Sequence, residues 1–279
     1  MLKVLMIVSF SVAALITGCS SKKEKDDSSF FLLSLLFQQD RAENYDRDVE
    51  IVTHAAPPTI PNSSYSFDLS YTDQDLEYYK SLLRAQIAKY PRGYWIKGRA
   101  EKIFLVKYIL SPSGGAKGLS NAMNQNSIIL SVGESLPGCN CDDQLISTIH
   151  HELTHNVDFA RLGYNYYTQP DWSLLNPSGF QYGSLSPNDY PQWTDLIHPI
   201  SGFLSYYSST NALEDRAVIA SALFGDSMLY ANLLNWCSTD FYLSRKAHQL
   251  ASDLNRFWPF EGPDTFWKTR VSGVLNSCN

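Results

Sequence analysis

The stretch Asp142-Asp143-Gln144-Leu145-Ile146-Ser147-Thr148-Ile149-His150-His151-Glu152-Leu153-Thr154-His155 decides how the rest of the chain is read. Leu145, Ile146, Ile149 and Leu153 recur at helical spacing and give the segment one buried side. The two aspartates fall at the N-terminus of that helix, where negative charge is favoured. The spacing predicts a helix from there to about Leu162. His151 and His155, one turn apart, then share a face, and two imidazoles so placed can both reach one metal ion at about 2.0–2.1 Å. Glu152 follows the first histidine and is angled to touch a water on that metal without binding the ion, which is the geometry a general base needs. Two surface histidines are the plainer reading, but the five-residue pattern arises by chance only on the order of once in a few hundred such chains.

Catalytic zinc takes three protein ligands and keeps a position for water. A third histidine in the extended motif would need glycine and histidine three and six residues after His155, where the chain has Asp158 and Arg161. Two glutamates follow His155. Glu214 falls on an expected helix capped by Asn211, and Glu261 falls in a proline-flanked turn. A ligand on a rigid helix is better held, which favours Glu214. Asp171, Asp189, Asp195 and His198 stay open as alternatives. Asp158 and Asp215 read either as solvated carboxylates or as acceptors that fix the tautomer of a ligand histidine through its outer ring N–H.

Outward from the motif, Lys102 to Leu110 and Ser127 to Val132 read as strands, with Ser113 to Gly118 as loop. Asp73 to Tyr90 has helical spacing, with Thr72 or Asp73 as its cap and Pro91 as its stop. Gly163 to Gly202 is long, proline-rich and full of Tyr and Trp, and a loop of that length in a compact domain is usually functional. Asn211 to Phe224 and Asp240 to Trp258 read as helices. The expected fold is α+β, with a small sheet, the motif helix and a mainly helical C-terminal half, over residues 65–279.

Hydrophobic residues make up 44% of the 279 and charged residues 18%, enough apolar surface to bury a core. A net charge of -6 argues against nucleic acid as a partner. Residues 1–18 place Lys3 ahead of the apolar run Val4 to Ile16 and read as a signal peptide. Leu15-Ile16-Thr17-Gly18-Cys19 resembles the bacterial lipobox. That resemblance implies acylation of Cys19 and a lipid-anchored place on a membrane of the cell envelope, each buried CH₂ contributing about 0.8 kcal/mol. Residues 19–64 then read as tether and extended linker. Within them the apolar Phe30 to Phe37 is too short to span a bilayer, and lies at the membrane surface or docks on the domain. Cys139, Cys141, Cys237 and Cys278 remain, an even count that permits two disulfides in an oxidising compartment. Bridges from the Cys139–Cys141 loop to Cys237 or Cys278 are expected.

Phe203-Leu204-Ser205-Tyr206-Tyr207-Ser208-Ser209-Thr210-Asn211-Ala212-Leu213-Glu214-Asp215-Arg216-Ala217 resembles the segment Phe-Val-Ser-x-Tyr-Ala-x-Thr-Asn-x-x-Glu-Asp-Phe-Ala. That segment follows the two-histidine helix in zinc metallopeptidases of bacterial lipoproteins, related to the anthrax lethal factor catalytic domain. Trp172 to Tyr182 is similar to their intervening loop, and the likeness runs from about Tyr71 to Phe224. It implies a zincin-like fold, one zinc ion, Glu214 as the third ligand beside His151 and His155, Tyr207 as a catalytic tyrosine, and a peptide or protein substrate. The chain departs from the pattern at Ser208, Arg216 and Val218, where alanine, phenylalanine and an acid are usual, which bears on substrate preference more than on chemistry. The competing expectation is a membrane-anchored binding or adhesin lipoprotein with a vestigial zinc site.

Overall fold

The computed structural model describes residues 40–61, 63–112, 114–133 and 142–278. The expected signal peptide of residues 1–18, Cys19, Phe30 to Phe37, and Cys139 with Cys141 lie outside the described residues. Residues Arg41–Asn279 form one unit. In chain order it runs β1 (Glu50–Val52), β2 (Ser66–Asp68), α1 (Asp73–Ile87), β3 (Lys102–Val106), β4 (Tyr108–Ser111), β5 (Gly114–Ala116), β6 (Gly118–Asn121), β7 (Ser127–Ser131), α2 (Asp142–Leu162), α3 (Ala212–Phe224), α4 (Ser227–Cys237), α5 (Phe241–Phe257) and α6 (Phe266–Ser277), with single-turn helices between. It is a mixed fold, rich in helix, with two small sheets.

One sheet has the order β1-β3-β7-β6, with β1, β3 and β7 parallel and β6 antiparallel at the edge. The other is antiparallel, β2-β4-β5. Side chains alternate between the faces of a strand, and here both faces are buried. Ile103, Leu105, Ile128 and Leu130 enter the helical core with Leu145, Ile149, Leu153 and Val157 of α2. Phe104, Val106 and Ile129 join Ile109 in a second cluster, packed on Phe67 and Ala116 from the other sheet. Each such side chain contributes about 1.5–3 kcal/mol on burial, so the strands richest in them, β3 and β7, occupy the centre.

Local signals predict the helices that place the site. Thr72 caps α1 in a reciprocal capping box with Asp75. Asn211 caps α3 by accepting from the backbone N–H groups of Leu213 and Glu214, and Asp240 caps α5 in the same way. Helix α2 spans the expected Asp142–Leu162.

Four expectations are corrected. The linker through Ser64 is not all linker, because Glu50–Val52 pairs in parallel with Lys102–Phe104; three residues are too few to display an alternation. Lys102 to Leu110 is two strands in two sheets. The break is at Lys107, whose N–H donates to the Asp68 carbonyl while its own carbonyl accepts from Gly133 N–H and the Ser131 hydroxyl. Gly114–Ala116, expected as loop, pairs with Ile109–Ser111, since a strand of small residues draws its order from its partner. Cys237 bonds to Cys278, with Cα atoms 5.2 Å apart and a sequence separation of 41, so neither is left to pair with Cys139 or Cys141. Both cysteines are buried in the helical core, and the helix α6 that brings Cys278 there carries no motif that marks it.

Helix α2 packs most extensively on α3. A buried ion-pair network clamps the two. Arg216 of α3 donates from Nε and Nη2 to the two carboxylate oxygens of Asp158 on α2, at 2.6 and 2.8 Å. Its Nη1 reaches Asp253 of α5 at 3.0 Å, and Arg161 bridges the same two aspartates. Removing one member of such a buried cluster strands the others. Arg216→Ala is expected to lose about 3–5 kcal/mol of stability in urea unfolding. Cys237→Ser is expected to lose about 2–4 kcal/mol in the same assay, and a non-reducing digest should yield one peptide pair joined through Cys237 and Cys278.

Candidate metal centre

Helix α2 presents His151 and His155 on one face, and the first turn of α3 brings Glu214 against them. Glu214 Oε2 lies 2.9 Å from His151 Nε2 and 3.5 Å from His155 Nε2, and the two Nε2 atoms are 3.1 Å apart. The imidazole planes stand at 86° to each other. A tetrahedral ion with ligand distances of about 2.0–2.1 Å needs donor atoms about 3.3 Å apart, and the three observed separations bracket that value. Among the described residues this is the one group of His, Cys, Asp or Glu whose donor atoms converge. Two imidazoles and a carboxylate are the donor set that borderline-soft zinc accepts, so the residues fit a zinc ion.

The electrostatics agree with that fit. Burial opposes a charge on His155, but the Glu214 carboxylate outweighs it and raises the histidine pKa to about 9. Burial likewise opposes the Glu214 carboxylate, and His155 and His151 pull its pKa well below the usual range. A field that holds protons on histidine also attracts a divalent cation, which competes with those protons.

Glu152 is buried beside the pair, and burial raises its pKa against the opposing pull of His151 and His155. His151, Glu152 and Tyr207 line a cleft of about 370 Å³, together with Gly115 to Gly118, Thr194, Leu196 and Val218. Tyr207 opens a short 3-10 turn whose backbone N–H is tied to the Trp193 carbonyl. Its ring centroid lies 6.1 Å from that of His151, and burial together with the Glu214 carboxylate pushes its pKa up. His150, next to His151 in sequence, faces away from the site. Its ring nitrogens meet Tyr90 Oη and Gln86 Oε1, and burial pushes its pKa well below normal.

Asp158 and Asp215 do not serve as hydrogen-bond acceptors for the ligand histidines. Asp158 is engaged by Arg216 and Arg161. Asp215 accepts from Trp172 Nε1, Tyr182 Oη and Lys246 Nζ, so it pins the aromatic loop and α5 to the start of α3. The partner of His155 is instead Tyr166, whose hydroxyl sits 2.9 Å from Nδ1. Nothing in the sequence singled out Tyr166 from Tyr164 and Tyr167 around it; only the 3-10 turn Gly163–Tyr167 aims it inward. Asp171, Asp189, Asp195 and Glu261 are exposed, and His198 bonds to Asp240 and the Phe203 carbonyl. None of them joins the converging group. Of the three departures from the lipoprotein pattern, Arg216 is engaged in the ion-pair network and Ser208 is buried and bonded to Ser205. Val218 alone lines the cleft.

Comparison with family models, with curated proteins and with solved structures finds no match. What the site can do follows from its own atoms.

One zinc ion per chain is the expected stoichiometry by metal analysis. His151→Ala, His155→Ala and Glu214→Ala should each abolish stoichiometric binding, whereas Glu261→Ala binds as the unaltered protein does. Tyr166→Phe removes the outer partner of a ligand and should weaken zinc by about 10–100-fold. Full zinc retention by Glu214→Ala would refute the ligand set.

Proposed function

We propose that the chain is a zinc-dependent peptidase that hydrolyses peptide bonds with Glu152 as general base. The observation that carries this reading is the convergence of Glu214 with His151 and His155, with Glu152 beside them on the wall of an open cleft. A bare binding site for zinc needs no carboxylate at that fourth place. When bound, the ion supplies Lewis-acid activation of a water molecule and of the scissile carbonyl.

The chain's own groups do the rest. Glu152 takes the proton from the water as its oxygen attacks the carbonyl carbon, and the raised pKa of a buried carboxyl suits a base that must hold that proton. The same carboxyl then gives the proton to the leaving amide nitrogen as the C–N bond breaks. Tyr207 lines the same cleft as His151 and Glu152, and its hydroxyl is the group that would donate to the oxyanion. The resemblance around Tyr207 and Glu214 supports a zincin-like assignment, and the lipobox-like segment supports a lipid-anchored protein of the cell envelope through Cys19.

The test is cleavage of a peptide library by the purified protein, with chelation and zinc restoration. Glu152→Gln should keep its zinc and lose about 10²–10⁴ in rate. Tyr207→Phe should keep its zinc and lose about 10²–10³. A fully zinc-loaded protein that cleaves nothing, yet binds ligands after chelation, would favour the adhesin reading instead.

A further inference from the structure

Gly118 opens the edge strand β6 directly against the side chain of Glu152. A Cβ on Gly118 would stand 2.5 Å from Glu152 Cγ, 2.9 Å from Cδ and 2.8 Å from Oε1. Carbon atoms in contact sit at about 3.5–4.0 Å, so an alanine would collide with the stem of the glutamate as well as its tip. The backbone does not demand glycine here, because Gly118 is not among the residues with positive φ. Space is the reason. Glu152 is 7% exposed, so its side chain can give way only by shifting into the cleft it lines.

The strand is docked on α2 at one further point: the Ser120 hydroxyl donates to Asn156 Oδ1, one helical turn on from Glu152, at 2.5 Å. Asn156 in turn donates to the carbonyls of Arg99 and Ser127. The edge strand therefore sits on the helix at a fixed height, and the missing side chain at Gly118 sets how closely it approaches.

We propose that Gly118 is a positioning residue for Glu152: the absent Cβ lets β6 close on the glutamate stem and fixes where the carboxylate oxygens stand over the cleft. The functional half of this inference rests on the peptidase reading, while the contact stands on geometry alone.

The experiment places Gly118→Ala in two backgrounds of the full chain, native and Glu152→Ala. In the native background the thermal midpoint should fall by about 3–8 °C, as overpacked sites do. In Glu152→Ala, where the colliding atoms are gone, the fall should largely vanish. Equal falls in both backgrounds would overturn the contact. If Gly118→Ala does not fold, rescue by Glu152→Ala supports the proposal, and failure of the double variant to fold refutes it.

Kinetics then test the positioning role. Gly118→Ala should keep stoichiometric zinc and a near-native KM while kcat drops about 10–100-fold, the scale of a misplaced catalytic group. Glu152→Asp, whose carboxylate is one methylene shorter, should lose less rate relative to Gly118→Ala than it does in the native background. An unchanged kcat in a well-folded Gly118→Ala would overturn the role. A native protein that cleaves no peptide would defeat the peptidase reading, and the thermal cycle would still decide whether Gly118 places Glu152.

Discussion

The register between α2 and α3 is the constraint on which the site depends. Glu214 can meet His151 and His155 only if the first turn of α3 stops at one height along α2. The clamp that holds it there is the two-pronged pair of Arg216 with Asp158, both almost wholly buried. Arg216 lies two residues past Glu214, and Asp158 three past His155, so the clamp and the donor cluster occupy neighbouring turns of the same two helices. A guanidinium fork matched to a carboxylate tolerates little sliding. The pair and its Asp253 extension are costly to bury, and their worth here is in geometry more than in net stability.

The rest of the site is built outward from that register. Asp215, next to Glu214, gathers Trp172, Tyr182 and Lys246, and so fixes the long aromatic loop over the start of α3. Lys246 also donates to the Gly202 carbonyl and sits over the Phe203 ring, which anchors the segment leading to Tyr207. On the other side, Asn156 and Ser120 hold the sheet edge against α2. Arg216, Arg161, Trp172, Tyr182 and Lys246 thus engage the carboxylates of Asp158 and Asp215, which leaves the donor atoms of His151, His155 and Glu214 to face one another. Three Lewis bases gathered at about 3 Å repel unless a cation or protons lie between them, a requirement that the proposed zinc ion would meet.

Departures from the lipoprotein pattern take on meaning in this light. Arginine at position 216 is matched by Asp158 and Asp253 inside the fold. Val218 lines the cleft, at the position where the resembled segment often has an acid.

The sequence by itself determined whatever depends on short separations. His151, Glu152 and His155 are legible because a helix repeats every few residues, and the caps at Thr72, Asn211 and Asp240 are legible because a side chain satisfies N–H groups two or three residues away. Elimination left Glu214 and Glu261 as the glutamate candidates for a third ligand, with Asp171, Asp189, Asp195 and His198 still open, and the expected helix favoured Glu214. Tertiary structure alone decided everything that closes through space. Glu214 stands 63 residues from His151, and no period in the sequence encodes that meeting. Tyr166 replaced Asp158 and Asp215 as the partner of a ligand histidine because a carboxylate's neighbour in sequence is seldom its neighbour in space. The pairing of Cys237 with Cys278, the strand hidden in Glu50–Val52 and the approach of Gly118 to Glu152 have the same cause: each is set by how layers stack, and stacking is a property of the whole core.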